Sequence, residues 1–181
     1  VESVANAAAF SLVTENKVLG GQYALAVILP LANADITASV TGPLGNTRSE
    51  SDDTFGVADI AISPLILGWH NGKVHSNVNL TFYLPTGEYT AGALANLSKN
   101  YPSVQVQGAV TWMDPQSGWA VSGAAAYLFN AENQTTDYRT GQLLHLDGAI
   151  TKAFGEWRLG AVGYAMIQTT GDSGAGARLG D

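Results

Sequence analysis

Polar and apolar side chains alternate along residues 101–130. In the first arm Val104, Val106, Val110 and Trp112 fall on one face, and Gln105, Gln107 and Thr111 on the other. In the second arm Trp119, Val121, Ala125, Tyr127 and Phe129 share a face, with Ala120, Ser122, Ala124 and Ala126 opposite. Successive side chains of a strand point to opposite sides, so each arm predicts a strand with one strongly apolar face. Between them Asp114-Pro115-Gln116-Ser117-Gly118 makes a tight turn. Its proline presets φ and its glycine takes a positive φ.

The same alternation recurs on both sides of this hairpin. Residues 1–14 predict a weak first strand and Glu15-Asn16-Lys17 a turn. In residues 18–40, Leu25, Val27, Leu29 and Leu31 oppose Ala24, Ala26 and Ile28, and Pro30 predicts a bulge or an edge. Thr41–Asp53 is polar and turn-rich and predicts a loop. Residues 55–69 predict a strand whose apolar phase changes at Ser63-Pro64, where a bulge would restore the face. His70-Asn71-Gly72-Lys73 is a hairpin turn, since Asn-Gly favours type I′ geometry.

Residues 74–84 set Val78, Leu80, Phe82 and Leu84 against His75, Asn77, Asn79, Thr81 and Tyr83. Residues 141–154 set Leu144, Leu146, Ile150 and Phe154 against His145, Asp147 and Thr151. Residues 157–168 set Trp157, Leu159, Ala161, Ala165 and Ile167 against Arg158, Tyr164, Met166 and Gln168. Gly155-Glu156 is a two-residue turn, while 85–100, 131–140 and the stretch from 169 are long loops.

The ends of these strands carry the next signal. Trp69, Trp112, Trp119 and Trp157 all lie beside short turns, and Tyr101, Tyr127 and Phe129 gather at the opposite end. From Tyr101 to Trp112 is about 36 Å of strand, or roughly 28 Å of height when tilted by about 40°. That height matches the apolar band of an outer-membrane barrel with an aromatic girdle at each edge. Short turns at one end and long loops at the other fit the same plan. The expected fold is therefore an all-β, antiparallel, up-and-down transmembrane β-barrel of about eight strands, a single domain over residues 1–181.

Composition narrows the alternatives. Only 13% of the residues are charged, against a usual quarter. Hydrophobic residues make up 46%, yet no run reaches the roughly 18 that a spanning helix needs. No cysteine is present, which removes disulfides and thiolate metal ligands. A net charge of −7 argues against a nucleic-acid partner. The chain opens without Met and ends at Arg178-Leu179-Gly180-Asp181 without a final strand, so the barrel is expected to be incomplete at both ends.

The candidate chemistry lies on the inward face. His75, Asn77, Asn79, Thr81, Gln105, Gln107, Thr111, His145, Asp147 and Arg158 would line a lumen and set its width and ion preference. Tyr83, Tyr164 and Met166 would add apolar contact. For any one of them, merely filling and solvating the interior is the more usual role. Ser122, His145 and Asp147 could be read as a hydrolytic triad, but no nucleophile elbow accompanies them. His70, His75 and His145 could be read as metal ligands, although zinc wants three or four that converge. Gly171–Gly180 lacks the Gly-Lys-Ser/Thr ending of a phosphate loop. Acidic Glu50, Asp52, Asp53, Glu132 and Asp137 are expected to be solvated or bridged by divalent ions to lipopolysaccharide.

The segments LGWH (67–70), YLPTGEY (83–89), NLSKNY (96–101), TWMDPQSG (111–118), FNAENQTTDYRTG (129–141) and GDSGAGARLGD (171–181) together resemble an outer-membrane channel family. That family is called "meta-pathway of phenol degradation" (MetA-type). The resemblance implies a monomeric barrel of about a dozen antiparallel strands in a Gram-negative outer membrane, with further strands after the last of these segments. It implies uptake of small, often hydrophobic or aromatic, compounds, and it does not imply a phenol-degrading enzyme. The functional expectation is a passive channel without catalytic residues, cofactor or metal, in contact with membrane lipid, lipopolysaccharide and a small solute. A non-conducting barrel with a plugged lumen is the alternative, and an outer-membrane acyl hydrolase a third.

Overall fold

The computed structural model describes residues 2–42 and 45–179. They form nine strands: β1 (Glu2–Val18), β2 (Gly21–Thr41), β3 (Thr47–Val57), β4 (Ile60–Asn71), β5 (Val74–Leu84), β6 (Ser103–Met113), β7 (Trp119–Asn130), β8 (Leu143–Phe154) and β9 (Trp157–Gln168). All pairings are antiparallel, in the order β1-β2-β4-β5-β6-β7-β8-β9, with β3 also on β2. The sheet curls into a half-barrel whose edges are β1 and β9. No α-helix occurs among the described residues, and a short 3-10 turn spans Gly176–Leu179. The expected all-β, up-and-down barrel plan is the one observed.

Direct pairing carries each face from strand to strand, because residues opposite one another in a ladder point the same way. Val74, Trp112, Val121, Ile150 and Ala161 form one such row, and His75, Thr111, Ser122, Ala149 and Val162 the next. The face bearing His75 is concave. Curvature crowds it, so Ala61, Ser63, Thr81, Ser103, Ala120, Ala126, Leu128 and Asn130 are buried there. The convex face leaves Val78, Phe82, Val106, Val110, Val121, Leu146 and Ile150 exposed. Leu67 is buried on that convex side, flanked across the sheet by Tyr23 and Val78.

The bulge at Ser63-Pro64 is present: the β4–β5 register shifts between Ile62 and Leu65. Ile60 and Ile62 thereby share the convex face with Leu65, Leu67 and Trp69. Three other expectations are corrected. The first turn is Leu19-Gly20, with φ of 52° and 77°, rather than residues 15–17. Positive φ at both turn residues suits the twist of a two-residue hairpin, while Thr14–Asn16 bulge within β1 opposite Tyr23. Pro30 makes no bulge. There β2 passes from pairing β4 to pairing β3, and the Pro30 carbonyl accepts from Ala58 N at 3.0 Å. A strand residue presents its N–H and C=O to the same neighbour, so the donor that proline lacks falls in the break between β3 and β4.

The third correction concerns Thr41–Asp53, most of which is strand rather than loop. Thr47–Val57 pairs with Leu31–Thr41 along its whole length. Two hydroxyl pairs, Ser39 with Ser49 and Thr41 with Thr47, cross this ladder. At about 70 Å, β2 is nearly twice as long as β5, so the β2–β3 hairpin stands beyond the rest of the wall. Glu50, Asp52 and Asp53 therefore sit on β3. Asp35 has Glu2 on one side and Asp53 on the other, a like-charge row that depends on solvent screening.

Candidate functional site on the concave wall

Concave-facing side chains of β4–β9 line up in rows. One row near the short turns holds His70, His75, Thr111, Ser122, Ala149 and Val162; above them come Gly68, Asn77, Ala109, Ala124, Asp147 and Tyr164. The third row holds Ile66, Asn79, Gln107, Ala126, His145 and Met166. Thr81, Gln105 and Leu128 follow, then Tyr83, Ser103 and Asn130. Arg158 stands at the start of β9, opposite Ala153. Every residue assigned to the inward face in the sequence thus lies on the concave side.

Neighbouring polar groups satisfy one another. Thr81 pairs with Ser63 at 2.8 Å and donates to Asn79 Oδ1 at 3.3 Å. Tyr83 donates to Gln105 Oε1, and Gln105 donates to Gln107. Thr111 and Ser122 share a hydrogen bond of 2.8 Å. Arg158 Nη1 donates to Thr151 at 3.0 Å. Asp147 is exposed and has neither a hydrogen bond nor an ion pair among the described residues. Around it Thr111, Ser122, Ala124, Ala149 and Tyr164 line a recess of about 480 Å³.

The alternative chemistries do not assemble. The Ser122 hydroxyl is bonded to Thr111, and His145 Nε2 is buried without a partner, so no hydrogen bond links Ser122, His145 and Asp147. His70 and His75 do meet, Nδ1 to Nδ1 at 2.8 Å, because they flank the hairpin turn as a direct pair. His145 lies two rows away. No three His, Asp or Glu side chains among the described residues could hold a metal ion.

The tryptophans cluster at the short-turn end on the convex face. Trp112, Trp119 and Trp157 are exposed there. Trp119 carries the Lys152 ammonium 5.0 Å from its ring. Trp69 covers Gly21 and donates to the Leu19 carbonyl. At the opposite end the Tyr127 and Phe129 rings meet at a tilt of 57° with centroids 4.8 Å apart. Tyr101 precedes β6 and is buried, its hydroxyl bonded to Thr140, so it belongs to the loop layer rather than to the convex rim.

That loop layer carries the least legible part of the site. Residues 85–102 fold onto the concave side of β3. Leu97 lies where a Cβ on Gly56 would meet it at 3.3 Å, and Asp52 accepts from Ala95 N at 3.0 Å. Asp59 fastens both ends of the segment, accepting from Gly87 N at 3.2 Å and from Lys99 N at 3.1 Å. Asn100 ties it to Asn133 and Thr135 in the next loop. Asn130 is almost completely buried, bonded to Ser103 Oγ, Gly141 O and Gln142 Oε1.

Asp172 accepts from Gly141 N, Gln168 Nε2 and the Tyr138 hydroxyl. The Tyr138 bond holds the Asp172 carboxyl below the usual carboxylate range and pushes the Tyr138 phenol up. In the turn at the other end Lys73 lies 2.8 Å from Asp114 and holds that carboxyl low. Asp and Asn residues in loops gave the only sequence signal for these anchors, since such side chains readily cap backbone N–H groups.

The sequence profile of the family described as "Putative MetA-pathway of phenol degradation" matches residues 1–181. No match was found among curated proteins or among solved structures.

Proposed function

The chain belongs to that phenol-degradation family, and on that premise we propose that it forms the wall of a passive outer-membrane channel for small molecules. One observation carries the reading: the convex face is apolar and exposed, while the polar side chains gather on the concave face among small apolar ones. A soluble barrel requires the reverse, because its apolar side chains must leave water. Hydrocarbon against Val78, Val106, Val110, Val121 and Ile150 removes that penalty, and antiparallel pairing satisfies the backbone inside the bilayer. The tryptophans at the short-turn end and the Tyr127–Phe129 pair then mark the two interfaces.

A solute would pass along the rows of His75, Asn77, Asn79, Gln105 and Gln107, exchanging hydration for side-chain hydrogen bonds. The role needs no catalytic group, cofactor or metal, and its partners are lipid, lipopolysaccharide and the solute, with the protein as a monomer. A second reading, a plugged barrel that binds without conducting, draws support from residues 85–102 on the concave side of β3. Reconstitution of the full-length protein into planar bilayers separates the two. Discrete conductance steps are expected, and their absence together with absent solute flux into liposomes would favour the plug. Brominated lipids should quench the tryptophans at one common depth near an interface.

A further inference from the structure

We infer that the recess between Asp147 and Tyr164 is a subsite for small organic cations, a protonated amine carried on an apolar body. The inference rests on the channel reading and adds the charge class of the solute. Asp147 and Tyr164 are direct cross-strand partners on β8 and β9, so their side chains leave the wall side by side. A carboxylate is an acceptor-only group with room for about four hydrogen bonds, and Asp147 makes none among the described residues. Beside it the Thr111–Ser122 pair uses one of its two hydroxyl protons internally, leaving oxygen lone pairs toward the recess. The Tyr164 ring is exposed, and the negative face of an aromatic ring attracts a cation within about 6 Å.

Among the described residues no cation pairs with Asp147. Arg158 starts β9 six residues before Tyr164, and its guanidinium rests on Thr151, four residues and about 13 Å along β8 from Asp147. Lys152 lies over the Trp119 and Phe154 rings on the convex face. The floor is built from Ala109, Ala124 and Ala149, whose methyl groups leave depth for an apolar body. A volume of about 480 Å³ suits a solute of one ring rather than a bare ion. A metal ion finds too few ligands, since no three His, Asp or Glu side chains converge among the described residues. Acceptors, a π face and an apolar floor together select a ring-bearing ammonium and disfavour the matching carboxylate.

Benzylammonium, benzyl alcohol and benzoate are the probes, used with the full-length protein in nanodiscs and in planar bilayers. Equilibrium binding followed by NMR needs no conduction, so it reads the subsite even if the channel proves closed. Benzylammonium is expected to bind at least about tenfold tighter than benzoate, a gap of about 1.4 kcal/mol. Asp147→Asn should erase that gap while leaving benzyl alcohol within about twofold, the two side chains being nearly isosteric. In bilayers the same variant should lose cation preference in its reversal potential. Equal binding of the three probes, or an unchanged preference in Asp147→Asn, overturns the inference. Loss of conductance with benzylammonium binding intact overturns only the channel reading.

Discussion

Trp69 holds a turn fifty residues earlier in the chain: its indole Nε1 donates to the Leu19 carbonyl at 3.1 Å. Leu19 has a φ of 52°, a left-handed conformation that costs a non-glycine residue about 1–2 kcal/mol. The ring also covers Gly21, where a Cβ would sit 2.7 Å from the indole Cε2. An aromatic ring over a glycine on the neighbouring strand supplies the contact that the glycine lacks. Trp69→Phe should therefore cost about 1 kcal/mol through the lost hydrogen bond. Gly21→Ala should cost about 1–3 kcal/mol through displacement of the ring. Denaturant unfolding in detergent micelles, followed by tryptophan emission, checks both, and a Gly21→Ala variant as stable as the parent would contradict this packing.

The bulge at Ser63-Pro64 places a hydroxyl against Thr81 in a buried position, at 2.8 Å. Removing one partner strands the other away from water. Thr81→Val alone should destabilise by about 1–3 kcal/mol, whereas Ser63→Ala with Thr81→Val should recover much of that loss. A double-mutant cycle of unfolding free energies reads the coupling directly, and additive losses would mean that the pair is not buried as described.

Asp59 clasps residues 87 and 99 with its two carboxylate oxygens and so closes the loop between them. Asp59→Ala removes both anchors at once. After discounting for partial exposure, the loss is about 1–2 kcal/mol, or about tenfold in the population of the open loop. Limited proteolysis within 88–98 should accelerate by that factor. In bilayers the variant should conduct more than the parent if the loop narrows the passage.

The Tyr138–Asp172 bond gives the loop layer a pH window. Asp172 is held below its ordinary value, so its contribution is present above the usual carboxylate range and fades as pH falls through the lowered value. Tyr138 is raised, so its contribution is present below the usual phenol range and fades as pH rises through the raised value. The protection factor of the Gly141 amide, which donates to Asp172, should be highest between those limits and fall in acid once the intrinsic pH dependence of exchange is divided out. Tyr138→Phe should remove the alkaline arm and weaken the acid one, since Gly141 and Gln168 still donate to Asp172.

The strands were legible wherever one face meets a different solvent from the other. From Val74 to Leu84 and from Val104 to Val121 the period of two follows directly from that contrast, and the phase slip at Ser63-Pro64 announced its own bulge. Thr47–Asp53 was not legible, because β3 stands beside the outer half of β2 with water on much of its surface and shows no apolar row. The turn at Leu19-Gly20 was likewise hidden. Leucine with positive φ is an uncommon choice, held here by an indole from another hairpin.

Side-chain order along the chain was enough to determine which residues share a face, since the alternation of a strand is a local geometric fact. It determined the antiparallel all-β plan, the later three short turns and which polar residues share a face. The tertiary structure decided which strands lie side by side, which face curves inward, and what stands next to what across the wall. The pairing of Asp147 with Tyr164, the contact of His70 with His75 and the seating of residues 85–102 on Asp52 and Asp59 all depend on register and curvature. Register sums backbone and packing terms over whole strands, so no short stretch of sequence contains it.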